Sequence, residues 1–415
     1  MRYSVLLRVT VTKGISMTIY DQFGVRTIIN VSGTSTRVGG AIMPDEVMDS
    51  MVQASKHSVS MTELQAAASR TIAEVTGAEA GYVTAGASAG LTMGTGAILA
   101  GLDPGSMERL PDTTGMKNEF IVAREHRNGY DHAVRLAGAK LVEVGMNEMV
   151  AGAGVRRTEA WEYEAAITQH TAGITYTATA DSEPPLQEVI EVAKRHDLPV
   201  LVDGAGQVPP VANLRRFIEM GADLVAFSGG KAIRGPQSSG ILCGKRELIT
   251  SAALQNLDMD EYFDIWEPPE DFIPKTEIKG IPRHGIGRGF KVTREEVIGL
   301  LVGLRLFVSG DYGPDYAEQR KFVEYIVDGV SGLPVEPEVI VPAEGSPALH
   351  LKLDTEALGR SGFNISAELK RGDPAVFVQE KLLTEDTLVI LSLNLNQERT
   401  ELLAERLREV LVRKS

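Results

Sequence analysis

The chain has 415 residues, 43% hydrophobic and 24% charged, a composition that suits a globular protein long enough for two or three domains. Its net charge of −14 excludes a general nucleic-acid binder, because phosphate backbones demand clustered Lys and Arg. No apolar run is long enough to span a bilayer, and the one cysteine, Cys243, excludes an intrachain disulfide and fits a reducing, cytoplasmic home.

Residues 1–17 read as an N-terminal extension, in which Arg8 and Lys13 break the pattern of a signal peptide and Met17 is a second candidate start. Helical periodicity predicts helices over 44–56 and 62–76; in the second, Leu64, Ala67, Ala68, Ile72 and Val75 form one stripe. Gly81-Tyr-Val-Thr84-Ala-Gly-Ala-Ser88-Ala-Gly90 then reads as a strand, a small-residue turn and the start of a helix reaching residue 100. Free backbone N–H groups at such a helix start can cradle a phosphate, which makes Gly86, Ala87 and Ser88 candidate contacts. The same small residues also suit simple close packing of strand and helix.

Strands are predicted over 120–123 and 140–144. Between them lies Arg124-Glu-His126-Arg-Asn-Gly-Tyr130-Asp-His132, a polar run at a strand end. His126 is a candidate acid or base, or a ring lying over a cofactor, and Tyr130 is a candidate substrate contact. The two histidines are six residues apart and belong to no ligand cluster, so no metal is expected.

Further strands are predicted over 173–177, 199–202 and 223–228, with a helix over 186–196 and another ending at 217–220. This alternation specifies an α/β fold built on a mainly parallel sheet. Two of these strands end on chemistry. Pro199-Val-Leu-Val-Asp203-Gly-Ala-Gly-Gln207 places an acid at a strand end, and Asp223-Leu-Val-Ala-Phe-Ser228-Gly-Gly-Lys231 places a lysine just past one. Alone, Asp203 also reads as a helix cap and Lys231 as a surface loop residue. Together, in a parallel sheet, they fall in one crevice at the carboxyl ends of the strands. A desolvated lysine loses its proton readily and attacks aldehydes, and Ser228 can offer a hydroxyl to a phosphate.

Residues 258–283, rich in proline and acids, read as an irregular connection. Helices are predicted over 295–307 and 398–413, within a smaller α+β domain. The expected division is 18–45 as a segment packing near the small domain, 46–290 as the large domain and 291–415 as the small one. Ile286-Gly-Arg-Gly has no strand–turn–helix context for a dinucleotide.

The order of the small-residue turn, D-G-A-G-Q and S-G-G-K-A-I-R-G-P-Q-S-S-G resembles the fold-type I pyridoxal-5'-phosphate (PLP) enzymes. Within these it resembles the selenocysteine synthase-like group. Ile28-Ile-Asn-Val-Ser-Gly33 is similar to that group's I-N-A-T-G stretch, and Gly287-Arg-Gly-Phe-Lys-Val-Thr-Arg-Glu-Glu to its G-R-x-x-K-V-x-K-E-E pattern. The resemblance runs over about residues 20–400. It implies a seven-stranded-type sheet, a homodimer or larger assembly, and PLP bound to Lys231. It implies Asp203 at the pyridine nitrogen, with Ser228, Gln207 and the 86–88 turn as cofactor neighbours. Arg371, in Lys370-Arg-Gly-Asp-Pro, resembles the group's arginine-bearing segment and is a candidate for a substrate carboxylate, with Arg288 and Lys291 as further cations; the last two read equally as ion-pair partners. The I-N-A-T-G-like stretch begins near residue 28, where the group has a long tRNA-binding domain before it, and the net charge does not suit tRNA, so tRNA binding is not expected. The branch that remains resembles the D-glucosaminate-6-phosphate ammonia-lyases. It implies elimination from a hydroxylated 2-amino acid, with Lys231 taking the Cα proton and His126 assisting the leaving hydroxyl. A racemase or aminotransferase would use the same cofactor groups, and a non-catalytic binding protein of the same fold is the third class.

Overall fold

A computed structural model describes residues 18–146 and 157–413. The extension expected over residues 1–17 lies outside the described residues. The chain divides into two compact units, one of residues 43–309 and one joining the N-terminal residues up to 42 to residues 310–415. The division falls later than residue 291 because the helix Arg294–Ser309 packs on the helix Asp45–Ala54 (α1). Arg294 donates to the Ala54 and Ser55 carbonyls at 3.2 and 2.9 Å, satisfying the end of α1.

Twelve strands are found among the described residues: β1 (Ile28–Val31), β2 (Ala80–Thr84), β3 (Glu119–Ala123), β4 (Lys140–Val144), β5 (Thr171–Thr177), β6 (Val200–Asp203), β7 (Leu224–Ser228), β8 (Gly240–Gly244), β9 (Val335–Ile340), β10 (Ala348–Leu353), β11 (Ala375–Val378) and β12 (Thr387–Leu391). The larger unit holds a seven-stranded sheet in the order β2-β8-β7-β6-β5-β3-β4. Pairing is parallel from β7 through β4, and β8 runs antiparallel to both its neighbours. The central strands are continuous apolar runs because helices cover both faces.

Two helices follow from this burial. Met61–Thr76 (α2) closes the free edge of β2: buried Gln65 accepts from Val83 N at 3.1 Å and donates to Val83 O at 3.0 Å, and Ser69 accepts from Gly81 N. Ala87–Ala100 (α3) is built of small and apolar residues and is buried almost all round. Among the described residues no single helix is long and apolar enough to cross a membrane.

The smaller unit pairs β1 in parallel with β11 and sets a three-stranded antiparallel sheet, β12-β10-β9, beside helices Gly313–Gly329, Gly362–Arg371 and Gln397–Val412. Its separate core includes Ile29, Val323, Leu351, Ile365, Val376, Ile390 and Leu407.

Candidate active site

The sheet directions decide which sequence segments meet. The strands β3, β5, β6 and β7 are parallel, and β2 shares their direction because two antiparallel pairings separate it from β7. Their carboxyl ends, at Ala123, Thr177, Asp203, Ser228 and Thr84, therefore lie along one edge. The turn at 86–88, His126, Asp203, Ser228 and Lys231 all follow those ends, the place where α/β sheets bind ligands.

At β2 the chain turns sharply into α3. Gly86 has φ +89°, a conformation that costs a side-chain-bearing residue, and Thr84 Oγ1 fixes the turn by donating to Gly86 O at 2.9 Å. The first α3 amide bonded within the helix is Gly90, to Gly86 O, so the N–H groups of Ala87, Ser88 and Ala89 precede the ladder. No side chain caps them, so they are free to receive an anion at the positive end of a 14-residue helix. Across the register, Thr84 pairs with Gly240 and Gly240 with Ser228, which puts Ser228 one strand beyond the cradle. A Cβ on Gly240 would lie 2.4 Å from Gly86 C and 2.6 Å from Ala87 N. Gly240→Ala is thus expected to displace the cradle and weaken PLP binding about tenfold or more, a close-packing cost of 1–3 kcal/mol. Titrating cofactor-free protein with PLP checks it; parental affinity would count against the cradle.

Lys231 and Asp203 lie near enough for each charge to act on the other. The amine also comes within 3.9 Å of where a Cβ on Gly206 would stand. Burial pulls the Lys231 ammonium below its ordinary pKa, opposed by the Asp203 charge. Burial also pushes the Asp203 carboxyl up, opposed by the Ala205 N–H that donates to Oδ1 at 3.0 Å and by Lys231. Both shifts disfavour the charged pair, so desolvation outweighs the attraction between the two groups. A free amine is the form of lysine that attacks a carbonyl, and a cation placed against Asp203 restores its carboxylate. The bond to Ala205 is also the local turn that the Asp-Gly-Ala sequence allows, so the capping and functional readings of Asp203 coexist.

His126 is only 4% exposed, and neither ring nitrogen makes a well-aligned hydrogen bond, although the Glu183 backbone lies near enough to act on the ring. Its ring meets that of Tyr176 edge-on, centroids 4.5 Å apart, and Tyr176 Oη is held by donating to Pro184 O at 3.0 Å. Burial, outweighing the charge of neighbouring Glu125, lowers the imidazole to about 4. Unfolded, it titrates near the ordinary imidazole value of 6.5. The neutral folded ring therefore contributes stability in full above pH 6.5, and that contribution is lost as pH falls to about 4. The gap corresponds to about 3 kcal/mol. Urea unfolding of cofactor-free protein, compared with His126→Phe, should show that extra acid loss in the parent alone; identical losses in both would remove His126 as its source.

Tyr130 is 65% exposed beside the short helix Asp131–Leu136. Gln207 lines a neighbouring cavity of about 530 Å³ with Tyr176, Asn213 and Arg216. Arg288 is engaged by Asp258 at 2.7 Å and Lys291 is exposed. Asp258, Asp260 and His284 converge closely enough to ligate a cation, but Arg288 already supplies positive charge there. Arg371 ends a helix of the smaller unit, its Nε donating to Ala367 O. Sequence reading missed the supports of His126. Tyr163 Oη accepts from Ala123 N at 3.0 Å, and Glu125 is held by Thr158 N at 2.8 Å and by Arg157. These partners are more than thirty residues away and carry no local motif.

The residues present fit PLP. A cradle of free amides suits its phosphate, a carboxylate its ring nitrogen, a depressed lysine amine its aldehyde, and a buried imidazole ring its neighbourhood. Comparison with known proteins agrees. A family model for SelA, the L-seryl-tRNA selenium transferase, matches residues 131–260. A 5'-C-glycyluridine monooxygenase-decarboxylase from a Streptomyces species is 29% identical over 408 residues, 95% of this chain and 92% of that protein. The D-glucosaminate-6-phosphate ammonia lyase of Salmonella typhimurium is 25% identical over 400 residues, 94% of this chain and 97% of that one. A solved D-glucosaminate-6-phosphate ammonia-lyase superposes with a TM-score of 0.78 at 24% identity, covering 96% of this chain and 99% of its own.

Proposed function

We propose that this chain, an enzyme of fold type I that uses PLP, is a lyase that converts a hydroxylated 2-amino acid to a 2-oxo acid and ammonia. D-Glucosaminate and its 6-phosphate are the substrates of choice. The observation that carries the reading is the placement of a half-buried lysine amine and a half-buried carboxylate after the ends of adjacent strands, on the same sheet edge that His126 follows. When bound, PLP supplies an electron sink for a negative charge developing at the substrate Cα.

The chain's own groups do the rest. Asp203 keeps the ring nitrogen protonated by a charge-assisted contact. Lys231 Nζ takes the Cα proton, a task its lowered pKa suits, and becomes an ammonium. That ammonium is the strongest acid at hand for the β-hydroxyl as it leaves as water. His126, neutral at working pH, is a weak acid and acts instead by hydrogen-bonding and orienting the hydroxyl. Water then replaces the nitrogen, so the sum is substrate to 3-deoxy-2-oxo acid plus ammonia. Arg371 is the candidate for the substrate carboxylate, as a bidentate fork.

A second reading comes from the relative named as a monooxygenase-decarboxylase. It would use Lys231 and Asp203 in the same places and differ in consuming oxygen and releasing carbon dioxide. Incubating PLP-loaded enzyme with D-glucosaminate and with its 6-phosphate decides between them. Equal ammonia and 2-oxo acid, with no oxygen uptake, is the expected result. Oxygen uptake with carbon dioxide release would favour the second reading, and racemised or transaminated amino acid without net ammonia would remove the lyase.

A further inference from the structure

The smaller unit has its own cavity, of about 590 Å³, between the N-terminal segment and the start of the last helix. That volume is typical of a small-molecule site. Its lining carries three arginines, Arg26, Arg37 and Arg399, against one acid, Glu398. Arg37 is matched by Glu380 at 2.8 Å. Arg26 and Arg399 have no carboxylate partner among the described residues. Arg26 is held by carbonyls, donating to Lys370 O at 3.0 Å and Gly372 O at 3.5 Å at the end of helix Gly362–Arg371. Arg399 donates from one nitrogen to Asn394 O at 3.1 Å. Each guanidinium has five N–H donors, so both keep donors to spare.

The walls are preformed. Asn30 donates to the carbonyls of Gly33, Val38 and Gly40, and buried Asn394 donates to Gly33 and Gly40 while accepting from Ile42 N. The two asparagines, one near each end of the chain, thus pin the loop from 33 to 42 through the same two carbonyls, those of Gly33 and Gly40. Ile28, Val25 and Leu402 add apolar surface beside the arginines. In a chain of net charge −14, a pinned cavity with two unmatched guanidiniums is an uncommon concentration of positive charge.

We propose that this cavity is a second ligand site, which binds a small molecule with an apolar body and one carboxylate or phosphate. The anion pairs with the Arg26 and Arg399 forks, and the apolar part lies against Ile28 and Leu402. The site is built from residues of the smaller unit alone and does not rest on the lyase reading.

The test uses the PLP-loaded holoenzyme, whose phosphate cradle is already filled. Phenyl phosphate and benzoate are titrated by calorimetry, with benzyl alcohol as the uncharged control. The expected result is saturable binding of one or both anions, none of the alcohol, and no change in the visible band of the cofactor. Which anion binds tells phosphate from carboxylate. Arg399→Gln and Arg26→Lys should each weaken binding about tenfold, the worth of one charge-assisted contact. Arg26 also secures a helix end, so Arg399→Gln carries the test if Arg26→Lys fails to fold. No binding of either anion, equal binding of the alcohol, or parental affinity in Arg399→Gln would overturn the site.

Discussion

Lys231→Ala is expected to lower turnover by on the order of 10⁴-fold and to abolish the borohydride-reducible visible band of the PLP-loaded protein. The size follows from two losses at one atom. The amine that links the cofactor disappears, and so does the base that takes the Cα proton. Lys231→Arg should fail equally, since a guanidinium stays charged at any working pH and serves neither purpose. Burial lowers the Lys231 pKa, and arginine at this position would bring a permanent charge into the same desolvated place. Turnover within tenfold of the parent in either variant would show that another group does the work.

Asp203→Asn is expected to keep PLP bound while slowing the reaction about 10³-fold, or about 4 kcal/mol of barrier. Asparagine retains the shape and the oxygen that accepts from Ala205 N, so the turn and the cradle stay in place. What it lacks is the negative charge that holds the pyridine nitrogen protonated, and with it the strength of the electron sink. The predicted signature is a kcat effect with a small change in cofactor affinity. A variant that turns over near the parental rate would take Asp203 out of the mechanism. One that loses the cofactor outright would make its role structural.

The parts of this site legible in the sequence are those fixed by short-range pattern. The apolar runs before Asp203 and Ser228 form β6 and β7, because buried parallel strands need continuous hydrophobicity. The right-handed, helix-linked alternation then places their ends on one edge. The small-residue run at 84–90 marks the turn into α3, and Gly86 has the positive φ that such a turn needs. What escaped are features set by pairing between distant segments. Nothing local in residues 240–244 says that this strand inserts antiparallel between β2 and β7, and only that insertion brings Gly240 against the cradle. Tyr176 against His126, and Tyr163 on the Ala123 amide, likewise join residues 40 or more apart. For Arg288 the ion-pair reading is open in the sequence, and only its partner, Asp258 thirty residues earlier, is not. The helix at Arg294–Ser309 was expected to open the small domain, yet it belongs to the large unit, because its apolar face finds α1.

The proposed mechanism requires Lys231 to hold the cofactor, with Asp203 at its ring nitrogen. Its most direct test is to reduce the PLP-loaded enzyme with borohydride, digest it, and locate the pyridoxyl group by peptide mass. The account predicts the modification on the peptide containing Lys231 and on that lysine alone. A pyridoxyl group on any other lysine, with Lys231 unmodified, would contradict it.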